Sequence, residues 1–290
     1  MSFPKLLLAA LPLAWCMLSG AYAAQGASGV KTEPELLEPE VAFRFSANLK
    51  DAKTVEIRYT IVPGYYMYRA RFAFSVEGAA AGKPTLPRGK NKFDATFNKT
   101  METYRDGVTA TLPLKQAAAG ALTLKATSQG CADAGVCYPP QIQTARLTLS
   151  SAAAPLPSAL TKAPAAAASK DGMFQRVTSV DDVQQKVKAA GRVALLDFYA
   201  DWCAPCKRME KVTFSDQRVK AKLAQFAALQ ADVTRNTLDD KLLLKQYKLV
   251  GPPGIVFFDR AGQEIPAPRV IGFEPAEKFL KTLDQALAAR

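Results

Sequence analysis

From about Val41 to Leu149 the chain alternates with a period of two. Val55, Ile57, Tyr59 and Ile61 are separated by Glu56, Arg58 and Thr60, and Phe72, Phe74 and Val76 by Ala73 and Ser75. Leu122 and Leu124 alternate with Thr123 and Lys125, and Ile142 opens a further run through Leu147 and Leu149. Successive side chains of a strand point to opposite faces, so this pattern predicts half-buried strands. Pro63-Gly64, Gly78, Gly89, Asp106-Gly107 and Gly120 punctuate the runs with turn-forming residues. Many short strands and no long amphipathic helix predict an antiparallel β-sandwich.

Ser150 to about Gly172 is Ala, Pro, Ser and Lys with little to bury, which reads as a linker. Its 23 steps from Ser150 to Met173 reach at most roughly 80 Å extended, or about 26 Å on average as a flexible coil. Beyond it the order alternates. A short strand near Phe174–Val177 precedes Ser179-Val180-Asp181-Asp182, an N-cap with acids in the first turn, and a helix to Ala190. Val193–Tyr199 is continuously apolar apart from Asp197, as expected of a strand covered on both faces. A helix-like segment follows from Lys207. Ser215-Asp216 opens a helix to Leu223, Phe226–Val233 is a strand and Leu238–Tyr247 a helix. Ile255–Phe258 and Arg269–Ile271 read as strands around Ala261-Gly262, and Pro275 as the first position of a terminal helix. This is an α/β domain with a small mixed sheet under helices. The expected division is a leader over 1–23, a β-sandwich over 24–150, a linker over 151–172 and the α/β domain over 173–290.

The leader reading rests on Lys5, an apolar stretch from Leu6 to Leu18 and Ala21-Tyr22-Ala23 before Ala24, the form of a cleavable secretory signal. The stretch is shorter than the ~20 residues a membrane span needs and contains Pro12. Cys16 lies within it, behind residues too bulky for a lipoprotein signal. No other stretch is apolar enough to cross a bilayer, so the mature protein is expected to be soluble outside the cytoplasm. The formal charge is +12, or +11 once Lys5 is lost. With export and without an arginine-rich or basic-aromatic run, this charge does not indicate nucleic acid.

Four cysteines remain after the leader, in two close pairs: Cys131 with Cys137, and Cys203 with Cys206. In an oxidising compartment such pairs are structural disulfides or redox centres. Loops this short remove little unfolded-chain entropy, which favours the redox reading. Cys203-Ala204-Pro205-Cys206 stands at a strand-to-helix turn, where the helix N-terminus favours the thiolate of the first cysteine. Zinc would require two more ligands, and the chain has no histidine. Cys203 is therefore the attacking thiolate, expected to be the more exposed of the pair, and Cys206 the resolving thiol. Asp197, an acid in an apolar strand, suits a shuttle for the Cys206 proton if it is buried without a cation. Glu210 lies seven residues after Cys203, about two helical turns, and can face back toward the thiols.

These residues carry a resemblance. The second half resembles the thioredoxin fold. Leu196-Asp197-Phe198-Tyr199-Ala200-Asp201-Trp202-Cys203, with Cys206-Lys207, Glu210-Lys211 and Thr213-Phe214-Ser215-Asp216, is similar to the C-terminal domain of the DsbD family of bacterial thiol-disulfide interchange proteins. The first half is similar to that family's N-terminal, immunoglobulin-like domain through Gly130-Cys131-Ala132-Asp133-Ala134-Gly135-Val136-Cys137-Tyr138-Pro139-Pro140, Gly64-Tyr65-Tyr66-Met67-Tyr68-Arg69 and Tyr104-Arg105-Asp106. The resemblance implies two redox-active disulfides, Cys131–Cys137 and Cys203–Cys206, and no cofactor or metal. It implies that Pro253 is a cis-proline against the thioredoxin pair, that Trp202 shapes that site, and that Tyr66, Tyr68 and an aromatic cap, Phe97, border the sandwich pair. It also implies electron flow from a membrane thiol reductase, through Cys203/Cys206 and Cys131/Cys137, to thioredoxin-fold or disulfide-bonded client proteins, with a place in cytochrome c maturation.

The chain departs from the family pattern at three points. The multi-span membrane domain that members carry between these halves is replaced by the Ala/Pro stretch. Pro252, which has no N–H, stands where such folds offer one to a bound chain. Ala95 and Thr96 stand where the family often has acids before its cap. Motif spacing leaves a disulfide oxidase or isomerase open, as well as a Cu(I)-binding or adaptor protein.

Overall fold

The computed structural model describes residues 36–94, 99–117, 120–148 and 172–289, all within one compact unit. The leader, Phe97 and nearly all of the linker lie outside the described residues.

The first half is all-β after a single turn of helix, α1 (Pro39–Ala42). Its strands are β1 (Phe43–Asp51), β2 (Thr54–Ile61), β3 (Tyr65–Tyr68), β4 (Ala73–Glu77), β5 (Ala79–Ala81), β6 (Lys90–Asp94), β7 (Lys99–Tyr104), β8 (Gly107–Ala117), β9 (Ala121–Ser128), β10 (Gly130–Ala132) and β11 (Gln141–Thr148). They form sheets ordered β1-β2-β8-β5, β10-β3-β7-β6 and β11-β9-β4, an immunoglobulin-like sandwich. The alternation of β2 is realised across its neighbour: Val55, Ile57 and Tyr59 register with Leu112, Ala110 and Val108 of β8, and all six are buried. Leu122 and Leu124 of β9 are fully buried beside them.

One strand takes the opposite parity to part of its expected run. Ile142 is 68% exposed, whereas Leu147 is buried. The two are an odd number of residues apart, so a strand has to send them to opposite faces. The inward face of β11 is Gln143, Ala145 and Leu147.

The second half follows as β12 (Gln175–Val177), α2 (Val180–Ala190), β13 (Ala194–Tyr199), α3 (Ala204–Arg208), a π-helical turn at Met209–Thr213, α4 (Gln217–Leu223), β14 (Ala227–Asp232), α5 (Leu238–Gln246), β15 (Gly254–Phe258), β16 (Glu264–Ile271) and α6 (Ala276–Ala288). The five-stranded sheet runs β12-β14-β13-β15-β16, with β13 parallel to β14 and antiparallel to β15. This is the thioredoxin fold. Side-chain caps start the helices at Ser179, Asp216 and Thr237, the last as a reciprocal capping box with Asp240. Pro275 caps α6 rather than opening it, because its extended backbone leaves Ala276 as the first helical residue. β16 begins earlier than its apolar end indicates and contains Pro266 and Pro268. An edge strand tolerates prolines that a central strand does not.

Gly130 shows how tightly the sandwich closes under its cysteines. A Cβ there would overlap the Phe43 ring, lying 2.9 Å from Cε2 and nearer to two other ring atoms. Phe43 is itself clamped edge-on by Tyr65 and Tyr138. Gly130→Ala is therefore expected to lower the stability of the sandwich half by about 1–3 kcal/mol, the usual cost of overpacking. A downward shift of the urea midpoint, read by a β-sheet signal, checks it.

Candidate active site

The two halves of the chain each present a closed disulfide, Cys131–Cys137 and Cys203–Cys206. Cys203 is the N-cap of α3, and its Sγ accepts the Cys206 N–H at 3.2 Å. Sulfur thus occupies the place of a capping oxygen, at the end of the helix where negative charge is favoured. The helix begins at Ala204, earlier than the sequence pattern suggests. Pro205, at its second position, gives up no hydrogen bond there.

The loop that carries Cys203 is held to the end of β14. Trp202 Nε1 donates to the Thr234 carbonyl at 2.9 Å, and the Asp201 N–H to Thr234 Oγ1 at 2.9 Å. The Thr234 N–H in turn donates to Asp232 Oδ1 at 3.0 Å, and Asp232 pairs with Arg176 at 2.8 Å. Thr234 is a site residue that the motif does not reveal, since it lies on a distant loop.

Asp197 sits in the middle of β13, registered with Gln230 of β14 and Ile255 of β15, and is 3% exposed. Gln230 Nε2 donates to its Oδ2 at 2.9 Å. Burial pushes the carboxyl from 3.8 up to about 7; the Gln230 hydrogen bond opposes this, the Glu210 charge adds to it and Arg176 reduces it. A neutral amide thus serves as the hydrogen-bond partner. Such an acid exchanges its proton near neutrality, as a shuttle has to. Glu210 lies exposed on the π-helical turn, near enough for its charge to raise both Asp197 and Tyr199. Pro252-Pro253 is a cis peptide immediately before β15.

In the sandwich, Cys131 lies on β10 opposite Tyr66 of β3, and Cys137 returns beside it after a tight turn. That turn is closed by hydrogen bonds from Ala132 N–H to Val136 O (2.8 Å) and from Gly135 N–H to Ala132 O (2.9 Å). Gly135 has φ +88°, a backbone region that favours glycine. Tyr66, Tyr68, Cys131 and Cys137 form one buried cluster, with Met101 and Trp202 packed against it. The two tyrosine rings meet edge to face at 5.4 Å. Lys92 Nζ lies 3.9 Å from the Tyr66 ring centroid and the Arg105 guanidinium 5.3 Å from it, while Arg105 grips Asp133 with two hydrogen bonds. The cap assigned to Phe97 lies outside the described residues.

Trp202 belongs to the thioredoxin half, so its place in that cluster joins the two centres. The Cys137 N–H donates to the Pro252 carbonyl at 2.9 Å. Asn236 Nδ2 reaches the Pro140 carbonyl at 3.5 Å. This arrangement overturns one expectation: Cys203 is fully buried and Cys206 4% exposed, because the sandwich's cysteine loop lies against this face.

Two closed disulfides, one of them at a helix N-terminus of a thioredoxin fold, make this a carrier of two thiol–disulfide centres. The comparisons narrow the class. Residues 33–149 match the family described as "Thiol:disulfide interchange protein DsbD, N-terminal", and residues 180–287 match the "Thioredoxin-like domain" family. The thiol:disulfide interchange protein DsbD of Ralstonia nicotianae is 54% identical over 118 residues, 40% of this chain and 19% of that protein. Two Neisseria meningitidis structures are similar to one half each. The reduced DsbD N-terminal domain is 31% identical over 39% of this chain and 90% of its own, with a TM-score of 0.36. The reduced DsbD C-terminal domain is 30% identical over 39% of this chain and 99% of its own, with a TM-score of 0.35. Residues 33–149 are thus similar to the DsbD N-terminal family and residues 180–287 to thioredoxin-like domains, and the chain spans about a fifth of the length of the curated relatives it matches.

The raised carboxyl has a thermodynamic signature. Between pH 4 and 7 the unfolded chain ionises Asp197 while the folded chain keeps it protonated, so stability is greatest below 4 and falls until the folded group ionises near 7. The loss is on the order of 4 kcal/mol. Asp197→Asn is expected to abolish it and to be the more stable protein at pH 8. Urea unfolding at pH 5 and 8, followed by Trp202 fluorescence, checks both signs.

Proposed function

We propose that this chain is a periplasmic protein-disulfide reductase that passes electron pairs from Cys203/Cys206 to Cys131/Cys137 and on to client disulfides. The observation that carries the reading is the Cys137 N–H bonded to the carbonyl of Pro252, which joins the sandwich's sulfur loop to the cis Pro252-Pro253 peptide of the thioredoxin half. A membrane thiol reductase supplies the electrons by reducing the Cys203–Cys206 disulfide. The linker over 151–172 replaces co-location by a membrane domain, at an effective concentration on the order of millimolar.

In the transfer, the Cys203 thiolate attacks Sγ of Cys137. The Cys131–Cys137 bond breaks, a Cys203–Cys137 bond forms, and Cys131 leaves as a thiolate that takes up a proton. Asp197 accepts the proton of Cys206, whose thiolate then attacks Cys203. The Cys203–Cys206 disulfide closes and Cys137 leaves as the second thiolate. Two electrons have moved from one pair to the other; the Cys206 proton rests on Asp197, and solvent water supplies the proton that Cys131 takes up. Glu210 supports the step by keeping Asp197 basic enough to hold a proton near neutrality. Tyr66, Tyr68 and Trp202 enclose the sulfurs, and Phe97 is assigned the cap over the sandwich pair.

A chain with Cys131→Ala and Cys206→Ala retains only the two partner sulfurs. When it is oxidised at high dilution and cut in the linker, a non-reducing gel is expected to show covalently joined halves at a yield independent of protein concentration. Separate halves, or a link that forms only at high concentration, would sink the relay.

A further inference from the structure

Two glycines of the thioredoxin half lie where the sandwich's cysteine loop comes nearest. A Cβ on Gly251 would overlap the Cys137 carbonyl oxygen and lie 3.1 Å from its carbon and 3.4 Å from Tyr138 Cα. A Cβ on Gly272 would overlap the Ala134 carbonyl oxygen and lie 3.4 Å from the Gly135 carbonyl carbon. From the other side, a Cβ on Gly135 would lie 3.3 Å from the Phe273 nitrogen. The atoms met are backbone, which cannot swing aside as the end of a long side chain can. Gly251 precedes the Pro252-Pro253 peptide and Gly272 follows β16, so they come from separate segments.

We infer that Gly251 and Gly272 are specificity-determining positions, two walls of a seat that admits the tight turn 134–138 main chain to main chain. The inference rests on the relay reading for its purpose and on the close approach for its content. Gly251 has no positive φ, so an alanine there strains nothing except the seat, whereas Gly272 has φ +83° and carries its own backbone cost. The partner class that fits is a disulfide loop that turns sharply at the attacked cysteine and offers one N–H to Pro252. A longer or side-chain-bearing approach meets the walls only if it can stand further off.

The test is Gly251→Ala in the full chain, with two readouts. In the Cys131→Ala, Cys206→Ala background the Cys137–Cys203 link is expected to fall at least tenfold in yield. With all cysteines present, the Cys203–Cys206 disulfide, which the seated loop covers, is expected to be reduced several-fold faster by dithiothreitol. Circular dichroism melting is recorded for each protein. If Gly251→Ala loses its cooperative transition, Gly272→Ala, which obstructs the opposite wall, takes its place against a Gly191→Ala control with the same left-handed cost and open space around it. Failure of the parent to link, with protection still lost on substitution, removes the relay and leaves the seat. Unchanged yield and unchanged protection in the variant overturn the seat.

Discussion

Disulfide exchange requires the attacking, central and leaving sulfurs to lie in line at bonding distance, so two backbones that each carry a cysteine pair have to approach closely. Much of the local structure at both centres answers that demand. Cys203 sits at a helix N-cap, where the chain is at its most open before the helix closes. The cis Pro252-Pro253 peptide has glycine before it, and its Pro252 carbonyl accepts the Cys137 N–H. In the sandwich, a turn stabilised by two short-range hydrogen bonds throws Cys137 forward, while Cys131 stays in the sheet beside Tyr66. The side chains that fill the remaining space are flat or flexible: Trp202, Tyr66, Tyr68 and Met101.

Proximity alone does not move protons, and the second constraint is electrostatic. Asp197 lies buried in β13, with a neutral amide as its hydrogen-bond partner and Glu210 as a negative neighbour, while Arg176 is engaged by Asp232. A closer cation would return the carboxyl to its ordinary range. The arrangement costs stability above the acidic range, a cost that functional sites commonly carry. In the sandwich the charges are disposed differently. Lys92 and Arg105 flank the Tyr66 ring, and Arg105 is tied to Asp133 on the cysteine loop itself. That pair fixes the loop and leaves no buried acid among the cluster residues.

The sequence was most legible where the cause is local. The alternation of β2 and β9, the caps at Ser179 and Asp216, and the buried acid of β13 each follow from a few adjacent residues. Parity misled at Ile142, because two apolar residues an odd number apart cannot share a strand face. Partners from distant segments left no local trace: Gln230 and Thr234 become site residues only when β14 lies beside β13. The burial of Cys203 was hidden for the same reason, since what covers it lies some seventy positions earlier in the chain, across the linker. Gly251 and Gly272 are ordinary loop glycines until the opposing backbone is in place.

Pro252 shows how one residue sets both the shape and the strength of the encounter. An ordinary residue before the cis-proline could pair with a guest strand through both its N–H and its carbonyl. Proline keeps only the carbonyl, which here accepts the Cys137 N–H. Pairing therefore stops after one bond, and a guest that turns away loses nothing by doing so. The loop from Ala132 to Val136 does turn away: the Ala132 and Gly135 N–H groups go to its own carbonyls and that of Asp133 to Gly64. A single backbone hydrogen bond contributes about 1 kcal/mol net, too little to hold two free domains together. In the proposed tethered arrangement, weak contact is what a relay needs. The tether keeps the encounter frequent, and the missing donor keeps it brief, so that Cys137 can leave the seat and meet the next disulfide.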